Sequence, residues 1–511
     1  MKTVKLFLEK WGLHTFLLPI FFLTHNYQQY YGLVSIDVAI KLGLLILSGI
    51  VLLFIALLAI TKHVNKSLQL ATLLGFIALF FGVIKDFIQF SLHAYLLSKY
   101  SVLLPIIVVV TVLLSWLVVK KKDFRKSNLF LNILLLLFLI VDIAALVSFE
   151  HSSFLQKNLL VKNSPPRASQ SFAVNSPDVY FLVFDSYPGT SFLNEFMNYD
   201  NSTFNQELES KGFYVVKKPK SNYNRTAFSI ASTLNLDYLA TFKTNDYVSP
   251  KNYAEANLTI RESVVPQFFK QQGYDIYNLS VFDIGKIAPL TRETFLTMAE
   301  QDVFLYNTLF QRIKNDLLWN LIVGKHANPL AKKFFVQTDE NFRKEQYRKK
   351  EFNSIAVDSL LQLPFKKTGS PKFVYAHLYL PHPPFFYDEN GKLNDINYIM
   401  SQASLEDRNL FLSYLKYTNK KIVQIIDKIK NAGGNKSVII LQSDHGFRDF
   451  KGWQNHPEYF FTNYSAFYFP DKNYITLYDT LSNVNTFPII LNKFFKTNLG
   501  LKNDSCIFLS D

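Results

Sequence analysis

Two stretches of this chain carry no charge over a length that no water-soluble core accommodates. Leu42–Thr61 runs 20 residues and Ser101–Val119 runs 19 without Asp, Glu, Lys or Arg. A helix of about 20 apolar residues matches the hydrocarbon thickness of a bilayer. Leu68–Ile84 adds 17 residues before Lys85 and Asp86. Ser127–Val141 adds 15, with Asp142 and more apolar chain after it. Trp11–Thr24 is the shortest, 14 residues that include His14 and Pro19. Residues 1–149 are therefore expected to form an α-helical membrane domain of about five transmembrane helices.

The basic loops orient these helices. Lys62 and Lys66 separate the second and third apolar segments, and Lys120, Lys121, Lys122, Arg125 and Lys126 separate the fourth and fifth. Short Lys/Arg-rich loops stay in the cytoplasm, so the chain after the fifth segment is expected outside. Lys2, Lys5 and Lys10 favour a cytoplasmic N-terminus, hence five spans. No small-residue cleavage site follows the first segment, so a removed signal peptide is not expected. Lys85 and Asp86 fall near the predicted outer face, where the sequence suggests snorkelling to the interface.

The net charge is +14, shared equally between residues 1–150 and the remainder. No Arg/Lys-rich arm stands out in the second part. Nucleic acid is therefore not an expected partner, whereas anionic lipid or phosphate esters suit the charge map. The one cysteine, Cys506, excludes an internal disulfide framework and a cysteine-based zinc site.

Residues 150–177, rich in Ser, Asn and Pro, read as a linker, with the stretch 154–161 a candidate for the membrane surface. From Asp178 strands and helices alternate. Val179–Phe184, Phe213–Val216, Tyr274–Leu279, Phe373–Leu380, Ser437–Leu441 and Ser465–Phe469 read as strands. Glu262–Gln272 has helical spacing. A capping box at Ser404-Leu-Glu-Asp407 announces a long amphipathic helix to about Lys430. This alternation predicts an α/β sheet with helices on both faces over 178–511.

Chemistry gathers at strand ends. Asp185 closes an apolar strand, and in open α/β sheets ligands sit outside the carboxyl ends of the strands. Its alternative is a turn or N-cap aspartate. Asp444-His445-Gly446 closes another strand and offers two ligands for a borderline cation; an ordinary turn is the alternative. Thr226 follows the polar loop Ser221–Arg225 and begins a run of helical spacing. A helix start favours anions, and a hydroxyl there becomes a nucleophile once a metal or base takes its proton; a plain N-cap threonine is the alternative. Ser229 and Ser232 read as helix-face residues. His377 lies inside a strand and reads equally as a core histidine. His382 follows it, stiffened by the prolines on either side. His456 is a substrate or second-metal candidate, or a solvated loop histidine.

As an ordered set, Asp185, Thr226, His382-Pro-Pro-Phe385 and Ser443-Asp-His-Gly446 resemble the sulfatase-like branch of the alkaline phosphatase superfamily. With five spans in front, the chain is similar to lipoteichoic acid synthases and lipid A phosphoethanolamine transferases. The resemblance implies an α/β sandwich of the alkaline phosphatase/sulfatase type. It implies Thr226 as the nucleophile, Asp185, Thr226, Asp444 and His445 as the metal site, and His382 and His456 as phosphoryl-binding or second-metal residues. The implied cofactor is a divalent metal, zinc or manganese, with magnesium or calcium as alternatives. The implied partners are a phospholipid donor, an envelope glycan or lipid acceptor and a bacterial cytoplasmic membrane.

Three departures bear on this. The transferases carry glutamate where this chain has Asp185. The phosphoethanolamine transferases have disulfides, which this chain lacks. Sulfatases convert a Cys or Ser to formylglycine, in a motif with Pro two residues and Arg four residues later, whereas Thr226-Ala-Phe-Ser-Ile230 supplies none of these. The expected activity is transfer of a phosphoethanolamine- or phosphoglycerol-type group through a phospho-threonine. The alternatives are a phosphodiester or sulfate-ester hydrolase on the same metal site and a non-catalytic membrane-anchored binding protein.

Overall fold

The computed structural model describes residues 2–31, 33–148, 158–168, 176–291, 300–318, 329–450 and 452–510. The chain divides into two compact units. Residues 1–158 and 298–335 form the first, and residues 159–297 and 336–511 form the second.

The first unit is helical: α1 (Lys2–Lys10), α2 (His14–Gln29), α3 (Ile36–Thr61), α4 (Val64–Asp86), α5 (Tyr100–Lys120) and α6 (Arg125–Ser148). Four helices are long and apolar enough to cross a membrane; the pair α1–α2, bent by 92°, makes a fifth only if it counts as one span. The helices α3 and α5 expose most of their apolar side chains, as lipid-facing helices do, while α2 packs against α3, α4 and α6. Polar groups inside this bundle find partners. His14 Nδ1 lies 2.7 Å from Thr72 Oγ1, and its Nε2 meets Gln69 and Asn128 at 3.2 and 3.3 Å.

The sequence placed residues 300–318 with the exported part, but their contacts are with the helices. Glu300 accepts from Ser35 N and Oγ at 2.7 and 2.6 Å, and Asn26 Nδ2 donates to Phe304 O at 3.1 Å. Phe80 is non-helical within α4, and the Gly82 N–H two residues on donates to Asn307 O at 2.8 Å. Any side chain at Gly82 would meet Asn307 Cα at 2.8 Å. Arg312 pairs with Asp86, and Tyr100 bonds Asp316. Asp86 is thus an ion-pair partner rather than a snorkelling residue, while Lys85 bonds Gln89 at 3.1 Å.

The second unit holds β1 (Val179–Phe184), β2 (Tyr214–Val215), β3 (Asp246–Tyr247), β4 (Asp275–Leu279), β5 (Lys372–Leu378), β6 (Val438–Gln442), β7 (Ser465–Tyr468) and β8 (Leu509–Ser510). Six of them make one mixed sheet in the order β2-β7-β6-β1-β5-β4, and β3 pairs with β8. The strand β1 is parallel to β5 and β6, and β4 is parallel to β5; β7 and β2 run antiparallel at one edge. Every residue of β1, β5 and β6 is buried, which explains the apolar runs Val179–Phe184, Phe373–Ala376 and Val438–Leu441 in the sequence.

Two local expectations change. Leu160 and Val161 are buried in the core of this unit, not laid on a membrane surface; residues 154–157 lie outside the described residues. The long helix is Arg408–Asn431, and its N-cap is Asp407, which accepts from Leu410 N at 3.0 Å. Ser404 belongs to a separate short helix, where its hydroxyl donates to Ile399 O and Ser401 O.

Candidate active site

Register brings the acidic strand ends together. Val183 pairs with Gln442 across β1 and β6, so two residues further along each chain Asp185 and Asp444 emerge side by side. Ser186, at φ +60°, turns the chain sharply after β1. Its N–H donates to Asp444 Oδ1 at 3.1 Å and its hydroxyl to Asp185 Oδ1 at 3.0 Å. Gly446 closes the other turn. A Cβ there would stand 2.0 Å from Tyr459 O and 2.6 Å from Thr462 O, so only glycine lets the two backbones approach.

Thr226 opens the helix Thr226–Asn235, preceded by Arg225 in an extended conformation. The helix is fixed to the strand end by Ser229, whose hydroxyl donates to Asp444 O at 2.6 Å. Arg448 Nη1 donates to Asn224 O at 2.8 Å and braces the loop from the other side. Thr226 Oγ1 therefore rests 3.1 Å from His445 Nε2.

The chemistry of the cluster follows from its protons. His445 Nδ1 lies 2.8 Å from Gly446 O. A carbonyl only accepts, so Nδ1 carries the hydrogen and Nε2 is a bare acceptor. That Nε2 stands 3.2 Å from Asp444 Oδ2 and 3.7 Å from Asp185 Oδ1. Asp185, Asp444 and His445 are fully buried, and their ligand atoms lie within 4.8 Å of one another. Asp185 Oδ2 and Asp444 Oδ2 accept no hydrogen bond. Acceptors crowded together in a dry pocket repel unless a cation sits among them. Two carboxylate oxygens, one imidazole and one hydroxyl also suit a four-coordinate divalent ion such as zinc. The residues present thus fit a metal.

The titration behaviour has the same origin. Burial and the neighbouring Asp185 charge push Asp444 up to about 7. Burial also opposes ionisation of Asp185, but the neighbouring His382 and His377 outweigh it and hold its carboxyl below the usual range. Burial, reinforced by Arg448, keeps the His445 imidazole neutral well below its ordinary pKa.

His382 is half-buried near Asp185, whose charge opposes the effect of burial on its imidazole. Its Nδ1 lies 2.6 Å from Pro383 O, so Nε2 is again the bare nitrogen. His456 stands apart in its contacts. It is exposed, bonds Glu458 at 3.2 Å, and packs on Tyr459 and Phe196. His377, which the sequence left equally a core histidine, reaches the site. Its Nε2 is 3.8 Å from Asp185 Oδ2 and has no hydrogen-bond partner, while Nδ1 meets Tyr375 OH at 3.1 Å. Ser232, read as a helix-face residue, donates to Asp237 O at 2.7 Å, away from the cluster.

The α/β sheet carries a buried Asp/Asp/His cluster at its strand ends, with a threonine at the start of a neighbouring helix. The sulfatase family model matches residues 199–487, more than half of the chain, and the chain belongs to that family. Among solved structures, the C-terminal periplasmic domain of EcEptC from Escherichia coli is similar at 16% identity. The match covers 67% of this chain and 90% of that one, with a TM-score of 0.39. The soluble domain of lipooligosaccharide phosphoethanolamine transferase A from Neisseria meningitidis is similar at 14% identity, covering 64% and 89%, with a TM-score of 0.36. The phosphonate monoester hydrolase SpPMH from Silicibacter pomeroyi is similar at 12% identity, covering 65% and 75%, with a TM-score of 0.38. No curated protein sequence matches the chain.

Proposed function

We propose that the protein is a membrane-anchored, metal-dependent phosphotransferase. It takes a phospho-alcohol group of the phosphoethanolamine or phosphoglycerol type from a phospholipid and delivers it to an envelope glycan or lipid. The observation that carries this reading is the Thr226 hydroxyl, 3.1 Å from His445 Nε2 at the start of a buried helix and beside the paired carboxylates.

Asp185, Thr226, Asp444 and His445 would hold a divalent ion, zinc or manganese in the first instance. When bound, it would acidify the Thr226 hydroxyl and withdraw charge from the phosphoryl oxygens. The start of the helix Thr226–Asn235 orients Oγ1 and presents backbone N–H groups toward an anion. Thr226 Oγ1 forms the new bond to phosphorus as the bond to the diacylglycerol oxygen breaks. The proton that Thr226 loses balances the proton the leaving alcohol gains. His382, with a bare Nε2, is the imidazole suited to pass that proton. An acceptor hydroxyl then attacks the phospho-threonine, gives up its own proton, and restores Thr226.

The proposed organisation is a transmembrane domain over 1–149, a linker over 150–177 and a catalytic domain over 178–511 outside the cytoplasm. Support comes from the loop charges and from the segment 300–318. Its partners Asn26, Ser35, Gly82, Asp86 and Tyr100 lie at the helix ends that those charges assign to the outer face.

The test is the covalent intermediate. Full-length protein mixed with phospholipid in detergent should gain the mass of a phospho-alcohol on the peptide containing Thr226. Thr226→Ala should abolish both the adduct and turnover, and Thr226→Ser should keep part of each. An adduct on Ser186 or Ser229, or wild-type turnover by Thr226→Ala, sinks the mechanism. Release of free phospho-alcohol without a modified glycan would make the enzyme a hydrolase.

A further inference from the structure

Three tyrosines that no step above uses converge on one cavity. Tyr414 and Tyr417 stand three residues apart on the helix Arg408–Asn431 and so share a face of it. Tyr387 joins them from the segment after His382-Pro-Pro-Phe385, where a backbone bridge to Leu393 fixes it. The rings form a stack. Tyr417 lies 5.0 Å from Tyr387 at 29° and 5.9 Å from Tyr414 at 5°. With Leu380 and Phe386 they line a cavity of about 80 Å³. Tyr414 is fully buried, and Tyr387 and Tyr417 are half-buried.

The hydroxyls of this stack are what the fold leaves unused. Among the described residues, none donates to or accepts from the phenol oxygens of Tyr387, Tyr414 and Tyr417. Other buried tyrosines are bonded: Tyr187 OH donates to Asn419 Oδ1 at 2.6 Å, and Tyr223 OH accepts from Leu239 N at 2.8 Å. A buried phenol ordinarily finds a partner, so three without one around a shared cavity mark a place where the partner comes from outside. Burial raises the pKa of all three, and Tyr417 and Tyr387 add to the effect on Tyr414. They stay neutral, able both to donate and to accept.

We infer that this cavity binds the hydroxyl-bearing edge of one sugar ring. The hydroxyls of a sugar donate and accept as phenols do, and its C–H face packs on an aromatic ring. A cavity of this size takes in a few waters or one such edge, with the rest of the glycan outside. The charges at the rim are not aimed at an ion. Lys350 Nζ lies over the Tyr347 ring at 5.7 Å, Lys421 Nζ lies 3.3 Å from Gln424 Oε1, and Asp358 is exposed. The stack is rigid before the ligand arrives, which lowers the ordering cost of binding. Leu380 and Phe386 flank His382 in the chain, so the ring would rest on both arms of the segment that carries His382. Assigning that ring to the acceptor glycan rests on the transferase reading; the site itself does not.

The experiment measures sugar binding rather than turnover. Full-length protein is held in a detergent without a sugar head group. Glucose, N-acetylglucosamine, glycerol and inorganic phosphate are each titrated by calorimetry into wild type, Tyr387→Phe, Tyr414→Phe, Tyr417→Phe and the triple variant. At least one of the two sugars should bind wild type, and saturation-transfer NMR should show contact at its ring C–H protons. Loss of one neutral hydrogen bond should weaken binding about three- to tenfold in each single variant, and the triple variant should show no measurable binding. Unfolding temperatures should match wild type, because phenylalanine keeps the stack; a merely structural role would lower them and leave sugar affinity unchanged.

No binding of either sugar by wild type, or equal binding by wild type and the triple variant, overturns the inference. So does glycerol or phosphate showing the tyrosine dependence in place of the sugars. A protein that binds sugar in this way yet transfers nothing keeps this site and loses the transferase reading. A protein that transfers while its sugar binding ignores the three tyrosines keeps that reading and loses this site.

Discussion

Gly446→Ala tests how tightly the metal cluster is built. The added methyl carbon would stand 2.0 Å from Tyr459 O and 2.6 Å from Thr462 O, and both are backbone atoms that no rotamer change can move. Real carbon–oxygen contacts do not fall below 3.0 Å, so the turn or the 459–462 segment must retreat by about 1 Å. That retreat breaks the Gly446 N–H bond to Phe460 O, now 2.8 Å. It also shifts His445, whose Nδ1 is tied to Gly446 O at 2.8 Å. Overpacking of this kind costs about 1–3 kcal/mol, well within the stability of a domain of this size. The protein should therefore fold with a lowered melting temperature. The larger effect falls on function, because a displacement of about 1 Å at a reacting centre costs on the order of a hundredfold in rate. Bound divalent metal by atomic emission, turnover on a phospholipid donor and thermal unfolding are read on the same purified preparation. Wild-type metal content and turnover in Gly446→Ala would refute the proposition that this turn sets the cluster.

Asp444→Asn and His445→Ala should each lower bound metal and activity together, since each removes one of about four ligands; full metal occupancy with an undiminished rate in either would place the ion elsewhere. Arg312→Met leaves the Asp86 carboxylate without its guanidinium, a loss that the partial exposure of Asp86 keeps to about 1 kcal/mol. Limited proteolysis in detergent should then cut within 300–318 faster than in wild type, and Asp86→Asn combined with Arg312→Met should recover part of the protection. A phosphatase reporter fused after residue 177 should be active and one fused near Arg125 silent; the reverse pattern would overturn the orientation and the lipid-donor chemistry with it.

The strands that carry the site were legible because buried parallel strands are continuous apolar runs, and that pattern stands out locally in β1, β5 and β6. The Asp444–Gly446 turn was legible because it punctuates such a run, and Thr226 because a polar loop gives way there to helical spacing. The function of His377 was not. It sits two residues after Tyr375 and two before Tyr379, so strand alternation places all three on one face, but nothing local says that this face meets Asp185. That follows only from β5 lying beside β1, with Val183 opposite His377. Ser229 was hidden for a related reason. It acts across the fold, through the carbonyl of Asp444. The place of 300–318 within the first unit was hidden too, because Glu300, Asn307 and Arg312 look like surface residues until Ser35, Gly82 and Asp86 are set opposite them.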